Sequence, residues 1–315
     1  MKNIAKLIKL TLFIATSVMI FSCSNDDDDP VVVSVDNSIA GIASRTPEFS
    51  SLVAALAKAD LVQTLSQSGS FTVFAPDNAA FSTFLSANGY SSLDAVPTAA
   101  LKEILLNHVV SGTNLSTGLS TGYVKTLGKG SASMTNTLSM YINTASGVSL
   151  NGVSNVTQAD IIATNGVIHK VSAVIGLPTV VTHAAANSNF TTLVGLLDGQ
   201  GLVPTLNGST SSPFTVFAPS NSSFATFEMQ NPGTLASLTS AQVTSVLTYH
   251  VVAGANVLST GIPTTPITTL ETGTFTIAGT VITDEANRNT NIVAVDVQCS
   301  NGVIHVIDNV LLPML

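Results

Sequence analysis

FTVFAPDNAAF (residues 71–81) and FTVFAPSNSSF (residues 214–224) are one eleven-residue pattern written twice in a chain of 315 residues. Three further pairs follow in the same order. Asn107-His108-Val109-Val110 answers Tyr249-His250-Val251-Val252, and NGVIH at 165–169 answers NGVIH at 301–305. Leu177-Pro178 then answers Leu312-Pro313. The spacing between counterparts shrinks from 143 residues (214 less 71) to 135 (312 less 177), as short loop deletions would produce. Solenoid repeats have periods of roughly 20 to 50 residues, so these copies are whole domains, each with its own core.

Within each copy the pattern changes along the chain. Residues 71–74 alternate as a strand, Pro76 stops it, and Asp77 is placed to cap a helix carrying Phe81, Phe84 and Leu85. Thr46-Pro47-Glu48 reads as a helix start with Thr46 as its cap, followed by Phe49, Leu52, Val53 and Leu56 at helical spacing. Phe190, Leu193, Val194 and Leu197 repeat that stripe. Residues 98–108 form a second helical segment with Leu101, Ile104, Leu105 and His108 on one face. The second half of the first copy is rich in β-branched residues, and short strands are expected at 148–150, 156–157, 160–163 and 167–171. Asn151-Gly152, Asn165-Gly166 and Asn301-Gly302 are turn signals of the hairpin kind. Helices early and strands late make an α+β pattern. Only a short connection joins the copies after Pro178, so the two domains are expected to touch.

The order FTVFAP-x-N-x-x-F, His-Val-Val, NGVIH and a closing Leu-Pro resembles the fasciclin domain, twice, over residues 39–315. The resemblance implies two tandem domains, each a β-sandwich or wedge with packed helices. The boundaries expected are 38–178 and 179–315. It also implies adhesion or interaction: binding of matrix proteins, glycans or other cells. In some animal members the Tyr-His region is implicated in receptor binding. That makes Tyr249, His250 and His108 the candidate binding residues. The first copy departs there, with Asn107 in place of the tyrosine.

Residues 1–22 read as a secretory signal: Lys2, Lys6 and Lys9 precede an apolar run, and Ser22 precedes Cys23. The serine–cysteine junction resembles a bacterial lipoprotein signal, in which Cys23 takes the lipid and anchors the chain to the membrane. Residues 23–37 then form a tether. Its aspartates at 26–29 resemble the export signal of surface lipoproteins of the Bacteroidetes. Outer-membrane attachment facing outward is expected, with the periplasmic face as the alternative.

Charged residues are 9% of the chain, against roughly a quarter in ordinary domains. The net charge is −8, and no basic patch suits a nucleic acid. The five histidines show no metal-ligand spacing, and no cofactor motif is present. Cys299 stands in a strand pattern and reads as a buried, inert thiol. Gly118-Leu119-Ser120-Thr121-Gly122 matches GxSxG, but it lies in a Ser/Thr/Gly-rich loop without the strand and helix that a nucleophile elbow needs. No catalytic residue is expected, and a hydrolase using Ser120 ranks last. The other alternative to adhesion is capture of a small ligand or oligosaccharide for nutrient uptake.

Overall fold

A computed structural model describes residues 35–315. The expected signal at 1–22, Cys23 and the aspartates at 26–29 lie outside the described residues.

The first domain opens with three short helices, α1 (Ile39–Arg45), α2 (Ser50–Lys58) and α3 (Val62–Ser66), before strand β1 (Phe71–Pro76). Helices α4 (Asn78–Ala87) and α5 (Thr98–Leu106) follow. The rest is strand: β2 (Val109–Ser111), β3 (Gly122–Gly130), β4 (Ser133–Asn143), β5 (Ser149–Leu150), β6 (Ser154–Ala163) and β7 (Gly166–Val171). The second domain repeats the order. Its helices are α6 (Val180–Ala186), α7 (Thr191–Gly199) and α8 (Val203–Asn207), then β8 (Phe214–Pro219), α9 (Asn221–Gln230), α10 (Thr234–Ser237) and α11 (Ser240–Tyr249). Its remaining strands are β9 (Val251–Ala253), β10 (Ile267–Thr268), β11 (Thr274–Ala278), β12 (Val281–Thr283), β13 (Asn289–Cys299) and β14 (Gly302–Ile307).

The mixed α+β fold takes a definite form. In the first domain seven strands run β1 to β7 in sequence order, and the parallel pairing of β1 with β7 closes them into a barrel. In the second domain the same circuit is open, with β9 and β10 at its edges. One bond, from Leu270 N to Val251 O (2.6 Å), spans that gap. The two repeated motifs are the two central partners. FTVFAP pairs in parallel with NGVIH, Phe71 opposite Gly166 in one domain and Phe214 opposite Gly302 in the other. Glycine is required there by close approach. A Cβ on Gly166 or Gly302 would collide with the carbonyl oxygen of Phe71 or Phe214.

The preceding asparagine does a second job. Asn165 Oδ1 accepts the N–H of Ile39 (2.8 Å), and its amide donates to Leu65 O and Gln67 O (both 2.8 Å). Asn301 accepts from Val180 N (3.0 Å) and donates to Leu206 O (2.7 Å). One buried side chain thus ties the start of the first helix to the end of the third in each domain. Each domain has two cores. One lies under the helices, around Phe49, Leu52 and Phe81 or Phe190, Leu193 and Phe224. The other lies inside the coiled sheet, around Phe74 and Met140 or Phe217 and Phe275.

Several local expectations change. Asp77 caps α4 through Ala80 N (2.9 Å), as its position suggests. Thr46 caps nothing with its side chain; its hydroxyl donates back to Ile42 O (2.9 Å), closing α1, a helix the spacing did not reveal. The strands expected at 156–157 and 160–163 are one bulged strand, β6, with Asp160 at φ 62°. The long β3–β4 hairpin also escapes the sequence pattern, because one face fills the barrel and part of the other meets the second domain.

Candidate functional site

That hairpin joins the domains. Residues Asp36–Leu315 form one compact unit. Tyr123 stands opposite Tyr141 and Lys125 opposite Ser139, so these four share one face. Met140 and Ile142 turn inward to the barrel core. The shared face meets β13. Lys125 Nζ donates to Ser139 Oγ (3.1 Å) and Asp296 O (2.9 Å), and Gln298 N donates to Ser139 Oγ (3.1 Å). At the hairpin tip, Ala132 N and Ser131 Oγ donate to Ser300 O (2.9 and 3.0 Å), while Ser300 N donates to Pro178 O (2.6 Å). Gly130 lies so close to the Ser300 backbone that a Cβ would strike it.

Tyr123 crosses the junction. Its ring packs against the second domain's core, 5.0 Å from Tyr141 and 5.4 Å edge-on to His183. His183 is fully buried on α6, with neither ring nitrogen hydrogen-bonded. Burial pushes its pKa down to about 3, so it serves as a neutral ring in the wedge. Burial pushes the Tyr123 phenol up to about 12, and Asn187 Nδ2 donates to its oxygen (3.4 Å).

Beside this wedge lies a cleft of about 560 Å³, bounded by Tyr123, Asn187, Asn189, Phe190, Ser220, Asn221, Ser222, Ala294 and Val306. The volume is within the range of small-ligand sites, and domain junctions are common places for them. No charged side chain lines it. Part of the polar lining is already committed. Asn221 holds Thr192 N (3.0 Å), Ser188 O and Thr191 Oγ1 (both 2.9 Å), and Ser220 Oγ is 2.8 Å from Ser222 Oγ and Ser223 Oγ. Asn189 and Ser222 are exposed at the rim. Hydroxyl and amide groups of this kind recognise uncharged polar groups.

The sequence-predicted residues lie elsewhere. Tyr249, His250 and His108 are buried, at 0%, 3% and 2% exposure. His108 Nδ1 donates to Ile104 O and His250 Nδ1 to Val246 O, both at 2.7 Å. Their Nε2 atoms accept from Ile175 N and Leu311 N, both at 2.9 Å. Tyr249 Oη donates to Thr274 O (2.6 Å) and accepts from Glu285 N (3.2 Å). All three fasten the helix end to the chain that follows. The structure places these three candidate binding residues in the core, with their polar atoms spent on backbone partners. In the first domain Asn107 takes the tyrosine's place and donates to Gly176 O (3.0 Å).

A duplicated cluster went unnoticed. Ser116 N and Oγ donate to Asp160 (2.8 and 2.5 Å), and Asp160 N donates to His169 Nδ1 (3.2 Å). Ser259, Asp296 and His305 repeat it, with bonds of 2.8, 2.6 and 3.4 Å. The signal was present: Ser-Thr-Gly recurs at 116–118 and 259–261, and each aspartate stands five residues before NGVIH. The carboxylate sits between hydroxyl and ring, so the histidine is not a base for that serine. Both rings are buried and stack on the strand phenylalanines, Phe74 and Phe217. Ser120 is exposed in the loop after this turn. Cys299 is buried, and burial raises its thiol pKa far above the ordinary range. Among the described residues no group of three or more His, Cys, Asp or Glu side chains gathers to hold a metal.

The fasciclin domain model matches residues 47–178 and again 188–313. The chain belongs to the fasciclin family. The protein sll1483 of Synechocystis is 38% identical over 141 residues, 43% of this chain and 73% of that protein. The transforming growth factor-beta-induced protein ig-h3 of Sus scrofa is 30% identical over 259 residues, 78% of this chain and 35% of that protein. A solved FAS1 domain pair from the insect cell adhesion molecule fasciclin I aligns over 84% of this fasciclin chain and 97% of its own, at 20% identity and a TM-score of 0.49. The matched fasciclin model names a domain and no reaction.

Proposed function

We propose that the chain is a cell-surface adhesion or interaction lipoprotein. Its two fasciclin domains act as one unit on a matrix protein, a glycan or another cell. Family membership in both halves supports a general adhesion-type role. The signal-like residues 1–22, Cys23 and the aspartates at 26–29 support lipid attachment at the outer membrane with the domains facing outward. The observation that carries the reading is the junction. Two domains are clasped so that an uncharged, amide- and hydroxyl-lined cleft opens beside Tyr123. A clasped pair presents its surfaces at fixed spacing, which favours a repetitive partner over a diffusible one.

Capture of a short oligosaccharide for uptake is the second reading, favoured by the same uncharged lining. Residues 31–315, applied to arrays of glycans and matrix proteins beside the variants Asn189→Lys and Ser222→Lys, test both. Binding of polymeric partners that either variant weakens supports adhesion through the cleft. Equal binding by both variants removes the cleft from the account. Tight binding of one short free oligosaccharide replaces adhesion with the uptake reading.

A further inference from the structure

The second domain holds a different cavity under its helices, of about 160 Å³, between α7, α9 and α11. Its walls are Leu196, Phe224, Leu235, Val243, Val246 and Leu247. His250 reaches it, but both of that ring's nitrogens are already spent on Val246 O and Leu311 N. No charged side chain lines it. A buried water needs two to four polar partners, so an apolar space like this stays dry, and one of about 150 Å³ takes up benzene. Leu196, Leu235 and Val243 are only half-buried, which gives the cavity a mouth.

The two repeats differ along the wall that α11 supplies. Val243 and Val246 stand seven and four residues before His250. The residues at the same distances before His108 are Leu101 and Ile104, each one carbon larger, and Leu101 is completely buried. At these two positions the second repeat carries two carbons fewer than the first, while on the α7 wall Leu196 stands where the first repeat has Ala55.

We propose that this cavity is a binding site for a single uncharged hydrocarbon group, a ring or short chain of about six carbons. The ligand is held mainly by shape and dispersion, because the walls are aliphatic or aromatic, the His250 nitrogens are spent, and a lone hydroxyl, that of exposed Thr192, stands on the lining. The site is independent of the junction cleft and of the adhesion reading.

Benzene, 1-hexanol and hexanoate are the probes, titrated into the protein and into Val243→Leu/Val246→Ile while methyl resonances and the thermal midpoint are followed. The double variant carries the residues with which the first domain already folds. Benzene and 1-hexanol are expected to shift the methyl signals of Leu235, Val243 and Leu247 saturably and to raise the midpoint. The double variant should weaken both probes roughly tenfold or more. Hexanoate, with its charge, should bind more weakly than 1-hexanol. No saturable shift in the native chain, or equal binding by the double variant, overturns the site. Hexanoate binding as well as 1-hexanol overturns its restriction to uncharged groups.

Discussion

Nε2 of His250 accepts the backbone N–H of Leu311 at 2.9 Å, and Nδ1 of the same ring donates to Val246 O at 2.7 Å. His108 makes the same pair of bonds with Ile175 and Ile104. Only the neutral ring can do both, because a protonated Nε2 has no lone pair to offer. The two histidines therefore act as staples that close each repeat onto its Leu-Pro end.

A pH dependence follows from these staples. Burial lowers both pKa values from 6.5 to about 4. The unfolded chain then binds protons that the folded one refuses, so stability rises with pH in that window. The contribution is complete above pH 6.5 and is lost as pH falls towards 4; His183, at about 3, extends the loss lower. Urea midpoints measured from pH 7.5 downward should fall most steeply in this range. His108→Asn with His250→Asn should start less stable and show a shallower slope between pH 6.5 and 5. An unchanged slope would contradict the assignment.

Asn301→Ala should cost about 2–4 kcal/mol, because it orphans the buried N–H of Val180 and the buried carbonyl of Leu206 together. Ser66→Ala, whose exposed hydroxyl donates to Val62 O, should stay within roughly 0.5 kcal/mol. Chemical denaturation distinguishes them; equal effects would mean that Asn301 does not lock α6 to α8.

Gly166→Ala is expected to be worse than a simple volume change. Its φ of 150° suits glycine, and the new methyl would meet Phe71 O across the parallel pair. A loss of roughly 3 kcal/mol or more follows. Gly118→Ala, in open space with ordinary φ, should be close to neutral. A thermal midpoint for Gly166→Ala within a degree or two of the native chain would refute the close-approach argument.

Much of this fold is legible in the sequence because it is written in local patterns. FTVFAP alternates and ends on proline, the Phe49 and Phe190 stripes are helical, and NGVIH is a turn followed by a strand. Elements that answer to distant partners are not legible. Residues Gly122–Asn143 show no clean alternation because one face fills the barrel while the other, with Tyr123, Lys125 and Ser139, meets the second domain. The cleft is assembled from residues more than sixty positions apart, such as Tyr123 and Asn187, and nothing local marks either of them. Tyr249, His250 and His108 stand out through the family resemblance, and the two histidines recur where the same pair of buried hydrogen bonds is needed in each repeat.

The clasp between the domains is the central claim, and Gly130→Leu probes it most directly. The added side chain must push the hairpin tip away from Ser300, while neither domain's own core contains position 130. The measurement is calorimetric titration of whichever polymer the arrays identify, run on the native chain and on Gly130→Leu, with the unfolding transition of each recorded beside it. The account predicts that Gly130→Leu still unfolds cooperatively but loses most of its affinity, as the cleft beside Tyr123 is distorted. A folded Gly130→Leu chain that binds with undiminished affinity would contradict it.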